Sequence, residues 1–297
     1  MPIPFSIIPI RCRYWARAII GKNDIAVVKS PLGTWRFAGV LDVELAEKLV
    51  QRHIDDQGIS EWLKPDGKRR VSRLSSDNQG YIVKEFARTL RPTFLRPAGN
   101  SWVNSLYLQD LTPPCLAWLS SRQLGDFLVF QDAGKGNFWR GQYDHLDNAI
   151  ELYARCAELL AELHNRGIYH GDAKPANFVR NQRITSSTRP VLIVDCDYIR
   201  QFKQIPLKHQ SKNLAQFLAG TGYIGNFVRW AETLTAFIRA YQSSCSLGQS
   251  RVDAAMNQAC AMINHRSVEN NLSRLDPATY SKEHHRGLQY RIDLPWL

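Results

Sequence analysis

The sequence predicts an α+β fold in two parts: a small, β-rich part to residue 131 and a larger, mainly helical part over residues 132–297. Three observations predict it. Short apolar runs broken by turn residues fill the first part, as in Ile25–Val28, Thr34–Ala38 and Tyr81–Phe86. Long stretches with helical spacing fill the second, the best of them Leu146–Arg166. Among the helices lies one polar loop, His170-Gly171-Asp172-Ala173-Lys174-Pro175-Ala176-Asn177-Phe178, whose residue types point to chemistry.

In chain order, Ile25–Val28 and Thr34–Ala38 flank Ser30-Pro31-Leu32-Gly33 and predict a hairpin. Asp42 is placed to cap a helix with Val43, Leu45, Ala46, Leu49 and Val50 on one face and Glu44 and Glu47 near its start. Residues 57–68 read as loop-rich. Arg69–Leu74 and Tyr81–Phe86 predict a second hairpin that turns over Ser75–Gly80 and sets Lys84 in a strand. Pro92 and Pro97 exclude a long helix around them, so the next helix is expected over Ser101–Leu111. Trp102, Val103 and Leu106 would face inward there, and Thr112-Pro113-Pro114 would end it. Cys115–Leu119 and Phe127–Phe130 predict two more strands, followed by a hinge at Gly134-Lys135-Gly136-Asn137.

In the second part, Ile150, Tyr153, Ala154, Ala157, Leu160, Ala161 and His164 recur at helical spacing, and Gly167 supplies the stop. Ile168-Tyr169-His170 is a short strand leading into the polar loop. Val191–Val194 is a buried strand ending at Asp195-Cys196-Asp197. Asn213–Tyr241 is helical with an interruption at Gly220–Gly225. That run has the letters of a dinucleotide fingerprint but follows a helix, not a strand, so it reads as an interhelical loop. Residues 252–274 predict a last helix and 276–297 a polar tail.

Composition bounds the partners. There are 38 basic and 27 acidic residues, a net charge of +11, which favours anionic partners: nucleic acid, anionic lipid headgroups, nucleotides or phosphorylated sugars. Basic residues cluster at Lys68, Arg69, Arg70 and Arg73, and again at Arg88, Arg91 and Arg96, on either side of Lys84. Six cysteines (Cys12, Cys115, Cys156, Cys196, Cys245, Cys260) are scattered without a Cys-x-x-Cys pair, as expected of apolar fillers in a reducing cytosol. The first ten residues are apolar but hold three prolines, and their positive charges follow them, the reverse of a secretory signal. With no run of eighteen apolar residues, a cytoplasmic protein that can touch a membrane surface is expected.

The polar loop carries the sharpest signal. Phosphoryl transfer needs a carboxylate to orient and deprotonate the attacking hydroxyl and a side-chain oxygen to hold Mg²⁺, and kinases set these on one loop as Asp-x-x-x-x-Asn. Asp172 and Asn177 have that spacing, and Lys174 is placed to neutralise charge on the transferred group. Asp195, at a strand end, takes the position of a second metal ligand, and Lys84 in its strand that of the lysine paired with nucleotide phosphates. ATP and Mg²⁺ are the cofactors this implies. The bland alternatives are a polar turn, a turn aspartate and a solvated strand lysine. Asp197 is open: it can assist, cap the next segment or bind Arg200.

His170–Phe178, followed by Ile193-Val194-Asp195-Cys196-Asp197, resembles the bacterial lipopolysaccharide core kinase family (the InaA and Kdo/heptose kinase type). Members are relatives of protein kinases that phosphorylate core sugars of lipid-linked lipopolysaccharide at the cytoplasmic face of the inner membrane. Ser101-Trp102-Val103-Asn104 leading to Leu111-Thr112-Pro113-Pro114 is similar to the same family, and the likeness covers residues 84–200. It implies a protein-kinase-like bilobal fold, with a nucleotide-binding lobe over 1–131 and a catalytic and metal-binding lobe over 132–297. The implied activity is an ATP-dependent kinase acting on a heptose or Kdo hydroxyl. Asp172 and Lys174 would be catalytic, Lys84 would bind nucleotide, and Asn177 and Asp195 would hold the metal. The implied partners are a lipid-linked sugar acceptor and an anionic membrane surface, with no nucleic acid and no obligate protein partner.

Aminoglycoside and choline phosphotransferases share the loop motif, so a small-molecule phosphotransferase is an alternative. The net charge of +11 leans against the acidic pocket that a cationic acceptor needs. A protein kinase is disfavoured because no Ala-Pro-Glu follows Asp195. The chain also departs from kinases: its first hairpin has no Gly-x-Gly-x-x-Gly, and residues 98–111 offer no Glu to Lys84. Asn104 is the nearest polar candidate there, with Glu44 or Glu47 able to arrive from the earlier helix. These departures support a further alternative, a silent pseudokinase acting as a binding module.

Overall fold

A computed structural model describes residues 25–65, 69–89, 96–134, 146–182, 189–221 and 230–273. In chain order the elements begin with β1 (Ala26–Ser30), β2 (Gly33–Phe37), α1 (Val43–Ile54), β3 (Ile59–Lys64), β4 (Val71–Ser76) and β5 (Gln79–Phe86). Then come α2 (Pro97–Tyr107), β6 (Cys115–Ser121), β7 (Gly125–Gln131), α3 (Leu146–Asn165), β8 (Ile168–His170), a 3₁₀ turn at Pro175–Asn177 and β9 (Phe178–Arg180). The last are β10 (Val191–Ile193), a second 3₁₀ turn at Cys196–Tyr198, β11 (Ile199–Gln201), α4 (Leu207–Thr221), α5 (Trp230–Ser244) and α6 (Gln249–Ser273). The protein is thus α+β, with its large antiparallel sheet in the first part and mostly helix in the second. It forms two compact units. One gathers the described residues as far as 134 with those of 181–198; the other gathers 146–180 and 199–273.

In the first unit, seven strands pair in the order β1-β2-β6-β7-β5-β4-β3, every neighbour antiparallel. Successive side chains along a strand point to opposite faces. One face gathers Trp35, Phe37, Tyr81, Val83, Leu119, Phe127 and Val129 against Ala46, Leu49 and Val50 of α1. The other gathers Phe86, Trp118 and Leu128 against Ala98, Trp102 and Val103 of α2. With a helix on each face, the central strands need apolar residues at consecutive positions, which is why Phe127–Phe130 has no polar alternation. Lys84 stands opposite Leu128 in the register and shares the α2 face with Phe86, while Val83 and Glu85 point to the α1 face.

Local chemistry accounts for most boundaries. The Asp42 carboxylate accepts from the Leu45 amide at 2.7 Å, as its place before α1 predicts. The β4–β5 turn puts Asp77 and Asn78 at φ 50° and 60°, the left-handed pair of a tight hairpin that short polar residues tolerate best. Two expectations are corrected. Residues 57–68 are not all loop: β3 forms at Ile59–Lys64 as an edge strand on β4, with two register shifts that disguise its alternation. The next helix begins at Pro97, not Ser101, and ends at Tyr107. Proline at the first helical position loses no helical hydrogen bond, so it starts the helix it was expected to exclude.

In the second unit α3 packs on α5 and α4 on α6. Phe217 is the hub of the core, with ring centroids 5.6 Å from Tyr153, 5.0 Å from Phe178 and 4.6 Å from Phe237. Gly167 ends α3 at φ 72°, and a Cβ there would lie 2.2 Å from the Phe202 carbonyl oxygen. Only glycine lets the chain turn that closely into β8, which pairs antiparallel with β11 and leads into the polar loop. Cys115, Cys156, Cys196, Cys245 and Cys260 are all free and buried, as fillers should be. Most of the expected hinge, the end of the Gly220–Gly225 run and the tail lie outside the described residues.

In urea denaturation, Asp42→Ala is expected to cost about 1 kcal/mol through the lost cap. Leu49→Ala, at a fully buried core position, is expected to cost about 2–5 kcal/mol. Equal costs would contradict the division between cap and core.

Candidate active site

The polar loop is held through its backbone by side chains of α4. Asn213 of α4 accepts from the His170 amide at 3.1 Å and donates to the His170 carbonyl at 2.6 Å, much as a paired strand would. One turn on, Gln216 accepts from the Ala173 amide at 3.3 Å and donates to the Gly171 carbonyl at 3.1 Å. Two side chains therefore bracket the peptides on either side of Asp172. The sequence reading missed both, although buried amides at helical spacing on an inward face are a readable signal.

Within the loop the expected residues meet. The Asp172 carboxylate accepts from Asn177 Nδ2 at 3.1 Å and Lys174 Nζ at 2.8 Å. Asn177 also donates to the Asp172 carbonyl at 2.7 Å. Asn177 is buried, whereas Asp172 and Lys174 keep solvent-exposed side chains, so the carboxylate and ammonium are the reachable groups. Behind the loop, His164 Nε2 lies 3.3 Å from Asn213 Oδ1, and Nδ1 lies 2.6 Å from the Tyr241 hydroxyl. Oδ1 can only accept, so Nε2 carries the proton and Nδ1 takes the hydroxyl's hydrogen. Tyr241 in turn accepts from Gln210 at 2.9 Å. Burial pushes the His164 pKa down to about 4, with the Asn213 hydrogen bond acting the other way.

The first unit holds a second cluster. Lys84, 7% exposed, places Nζ 2.5 Å from Asp195 Oδ1 and 3.1 and 3.3 Å from the two oxygens of Asp197. Burial works against the ammonium, but the two carboxylates outweigh it and its pKa lies above the usual lysine range. Asp197 also meets Arg69 at 2.5 Å, and Arg69 donates to the Tyr198 hydroxyl at 3.1 Å. The 3₁₀ turn that carries Asp197 is fixed by Asn104 of α2, which donates to the Cys196 carbonyl at 2.6 Å. Asp195, just before that turn, sits at φ 64°, a strained backbone position of the kind that collects at functional sites.

This geometry resolves what the sequence left open. Asp197 pairs with Lys84 and Arg69. Asn104 braces the turn of Lys84's partner through the Cys196 carbonyl. Glu44 and Glu47 belong to α1, on the opposite face of the sheet, where Glu47 accepts from Trp35 Nε1 at 3.3 Å. Glu85 follows the same alternation and meets His53 at 3.2 Å. Four of the basic residues expected to face a surface pair with carboxylates of the same unit, whereas Arg88 is exposed. Arg69 binds Asp197, Arg70 binds Glu85 across 3.4 Å, and Arg73 binds Asp132 and Glu61; Arg96 binds Asp126. Lys68 and Arg91 lie outside the described residues.

A hard cation such as Mg²⁺ takes oxygen donors, and the Asp195 carboxylate and Asn177 amide oxygen are of that class. Among the described residues no group of three or more His, Cys, Asp or Glu side chains is arranged to hold a metal. No helix among them is long and apolar enough to cross a membrane.

No known family profile matches the chain, and no curated protein does. Among solved structures it is similar to one described as WaaP in complex with acyl carrier protein, at 16% identity and a TM-score of 0.47. The match covers 69% of this chain and 86% of that one. At this level it sets neither family nor activity, and the functional reading rests on the side chains.

His164 yields a prediction about stability. Its folded pKa lies below the ordinary 6.5, so the unfolded chain takes up the proton first as pH falls. Its contribution is complete above pH 6.5 and is lost as pH falls toward about 4. A difference of this size corresponds to about 3 kcal/mol, and urea unfolding across pH 7 to 4 should show that slope in the wild type. His164→Asn should lose most of it; an unchanged slope would contradict the buried neutral imidazole.

Proposed function

We propose that the protein is an ATP-dependent kinase that phosphorylates a heptose or Kdo hydroxyl of lipopolysaccharide core. The observation that carries the kinase reading is the ion pair of Lys84 with Asp195 at 2.5 Å, made across 111 residues of sequence. The two were assigned on separate grounds, one to nucleotide phosphates and one to the metal, and such a site requires them as neighbours. The loop in which Asp172, Lys174 and Asn177 meet supports the same reading. The nucleotide-binding part would then be the first unit, the described residues as far as 134 with the returning segment 181–198.

In this reading Asp172 orients the acceptor hydroxyl and takes its proton as the oxygen attacks the terminal phosphorus of ATP. The new oxygen–phosphorus bond forms as the bond to ADP breaks, and Lys174 offsets charge on the transferred group. Lys84 fixes the nucleotide phosphates, and Asn177 and Asp195 would hold Mg²⁺, which neutralises phosphate charge when bound. The sugar acceptor is supported by the resemblance of His170–Phe178 and Ile193–Asp197 to lipopolysaccharide core kinases. A lipid-linked acceptor, reached on the cytoplasmic face of an anionic membrane, is supported by the net charge of +11. The pairing of Arg69, Arg70, Arg73 and Arg96 with carboxylates removes those four residues from that argument.

The test is mass spectrometry of lipopolysaccharide and of its delipidated core oligosaccharide after incubation with protein, ATP and Mg²⁺. A gain of one phosphoryl group, faster on the intact lipid, is expected; no gain on either acceptor would contradict the proposal. Asp172→Asn should fold normally and lose about 10²–10⁴-fold in rate, because an amide cannot take the proton. Lys84→Met should also depress turnover. Full activity in the Asp172 variant would remove this loop from the chemistry.

A further inference from the structure

Lys84 has two carboxylate partners where a nucleotide-binding lysine needs one lasting anchor, and the two differ in every physical respect. The Asp197 side chain is 2% exposed and takes Lys84 on both oxygens while Arg69 holds it from behind. Its turn is fixed by Asn104, and Arg69 is itself flanked by the rings of Phe86 and Tyr198, each 5.6 Å away. The Asp195 side chain is 42% exposed and meets Lys84 through Oδ1. We propose that Asp197, backed by Arg69, is the fixed counter-ion of Lys84, and that Asp195 is the exchangeable one, trading Lys84 for the metal when nucleotide binds.

This rests on the kinase reading and deepens it. The charges support it. Lys84 and Arg69 against Asp195 and Asp197 sum to two positive and two negative, a neutral cluster that suits a buried site without ligand. Once Asp195 turns to a cation, Lys84, Arg69 and Asp197 are left with a net charge of one positive, which suits a phosphate group. The same trade by Asp197 would take from Arg69 the carboxylate it pairs with and leave Lys84 only the solvent-exposed Asp195, and losing a buried ion-pair partner is strongly unfavourable. Asp197 therefore takes the place of the helix glutamate that the sequence lacks, and it does so from the returning segment. Asp197 is a positioning residue, acting through Lys84.

Two measurements test this on the full chain. The first is ATP affinity by calorimetry, with Mg²⁺ and with chelator. Asp195→Asn should lose the Mg²⁺-dependent gain while metal-free affinity stays within about threefold, because a metal ligand has gone and the anchored lysine remains. Asp197→Asn should lose about tenfold or more in both conditions, because the lysine has lost its anchor. Identical Mg²⁺-dependent losses in the two variants, or no loss for Asp197→Asn, would overturn the division of roles.

The second measurement needs no nucleotide: double-mutant cycles on unfolding, combining Lys84→Met with Asp197→Asn or with Asp195→Asn. Coupling to Asp197 should exceed coupling to Asp195 by about tenfold in the unfolding constant; the reverse order overturns the anchor. If Asp197→Asn does not fold alone, folding of the double variant with Lys84→Met expresses the same coupling. Should neither fold, Arg69→Gln replaces them, expected to weaken metal-free ATP binding about threefold, with no effect counting against the proposal. A wild-type chain that binds no ATP overturns the kinase reading and the exchange together. The cycles then still decide whether Asp197 anchors Lys84.

Discussion

A lysine ammonium at 7% exposure is a demanding group for the first unit to hold. Taking such a charge out of water costs several kcal/mol, and the structure tolerates it because two carboxylates and a braced turn come to meet it. Much of the unit is arranged around that demand. β5 presents Lys84 on the face covered by α2, Asn104 of α2 grips the Cys196 carbonyl, and Asp197 is thereby delivered under the ammonium. The returning segment is tied in as well, the Ile193 amide donating to the Leu111 carbonyl at 2.8 Å. Removing the lysine would take one cation from both Asp195 and Asp197, so one residue couples strand, helix and turn.

The second unit solves a different problem, that of keeping a loop fixed without regular pairing. The residues around Asp172 have few backbone partners of their own, and the amides of Asn213 and Gln216 supply them. His164, Tyr241 and Gln210 extend the network into the core with each donor matched to an acceptor. A buried polar network stiffens a structure when fully satisfied. The result is a braced backbone that still presents an exposed carboxylate and an exposed ammonium, the two groups to which the proposed function gives the proton and the transferred charge.

The sequence was most informative where chemistry depends on short spacing. Asp172, Lys174 and Asn177 lie within six residues and meet as their spacing implies, and Asp42, Gly167 and the Asp77-Asn78 turn act through local backbone rules. It was weaker where the outcome depends on partners remote in the chain. Whether Asp197 would assist, cap or bind Arg200 could not be read, because the answer lies with Lys84 and Arg69 more than a hundred residues earlier. The absent helix glutamate looked like a defect until sheet alternation placed Glu44 and Glu47 behind the sheet and the aspartate in front of it. The arginines near Lys84 looked like a surface patch because composition counts charges but not their partners; Arg69, Arg70, Arg73 and Arg96 all pair with carboxylates of the unit. β3 was missed for a related reason, since its two register shifts break the alternation by which an edge strand is recognised.

The central claim is that Lys84 lies beside the phosphates of bound ATP. The most direct measurement is covalent labelling with an ATP analogue that carries an acyl group on its last phosphate, followed by peptide mass spectrometry. Such a reagent acylates the amine that sits against the phosphate chain. The account predicts acylation at Lys84, suppressed by excess Mg·ATP and absent in Lys84→Met. Labelling spread over surface lysines, or labelling at Lys84 that ATP does not suppress, would contradict it.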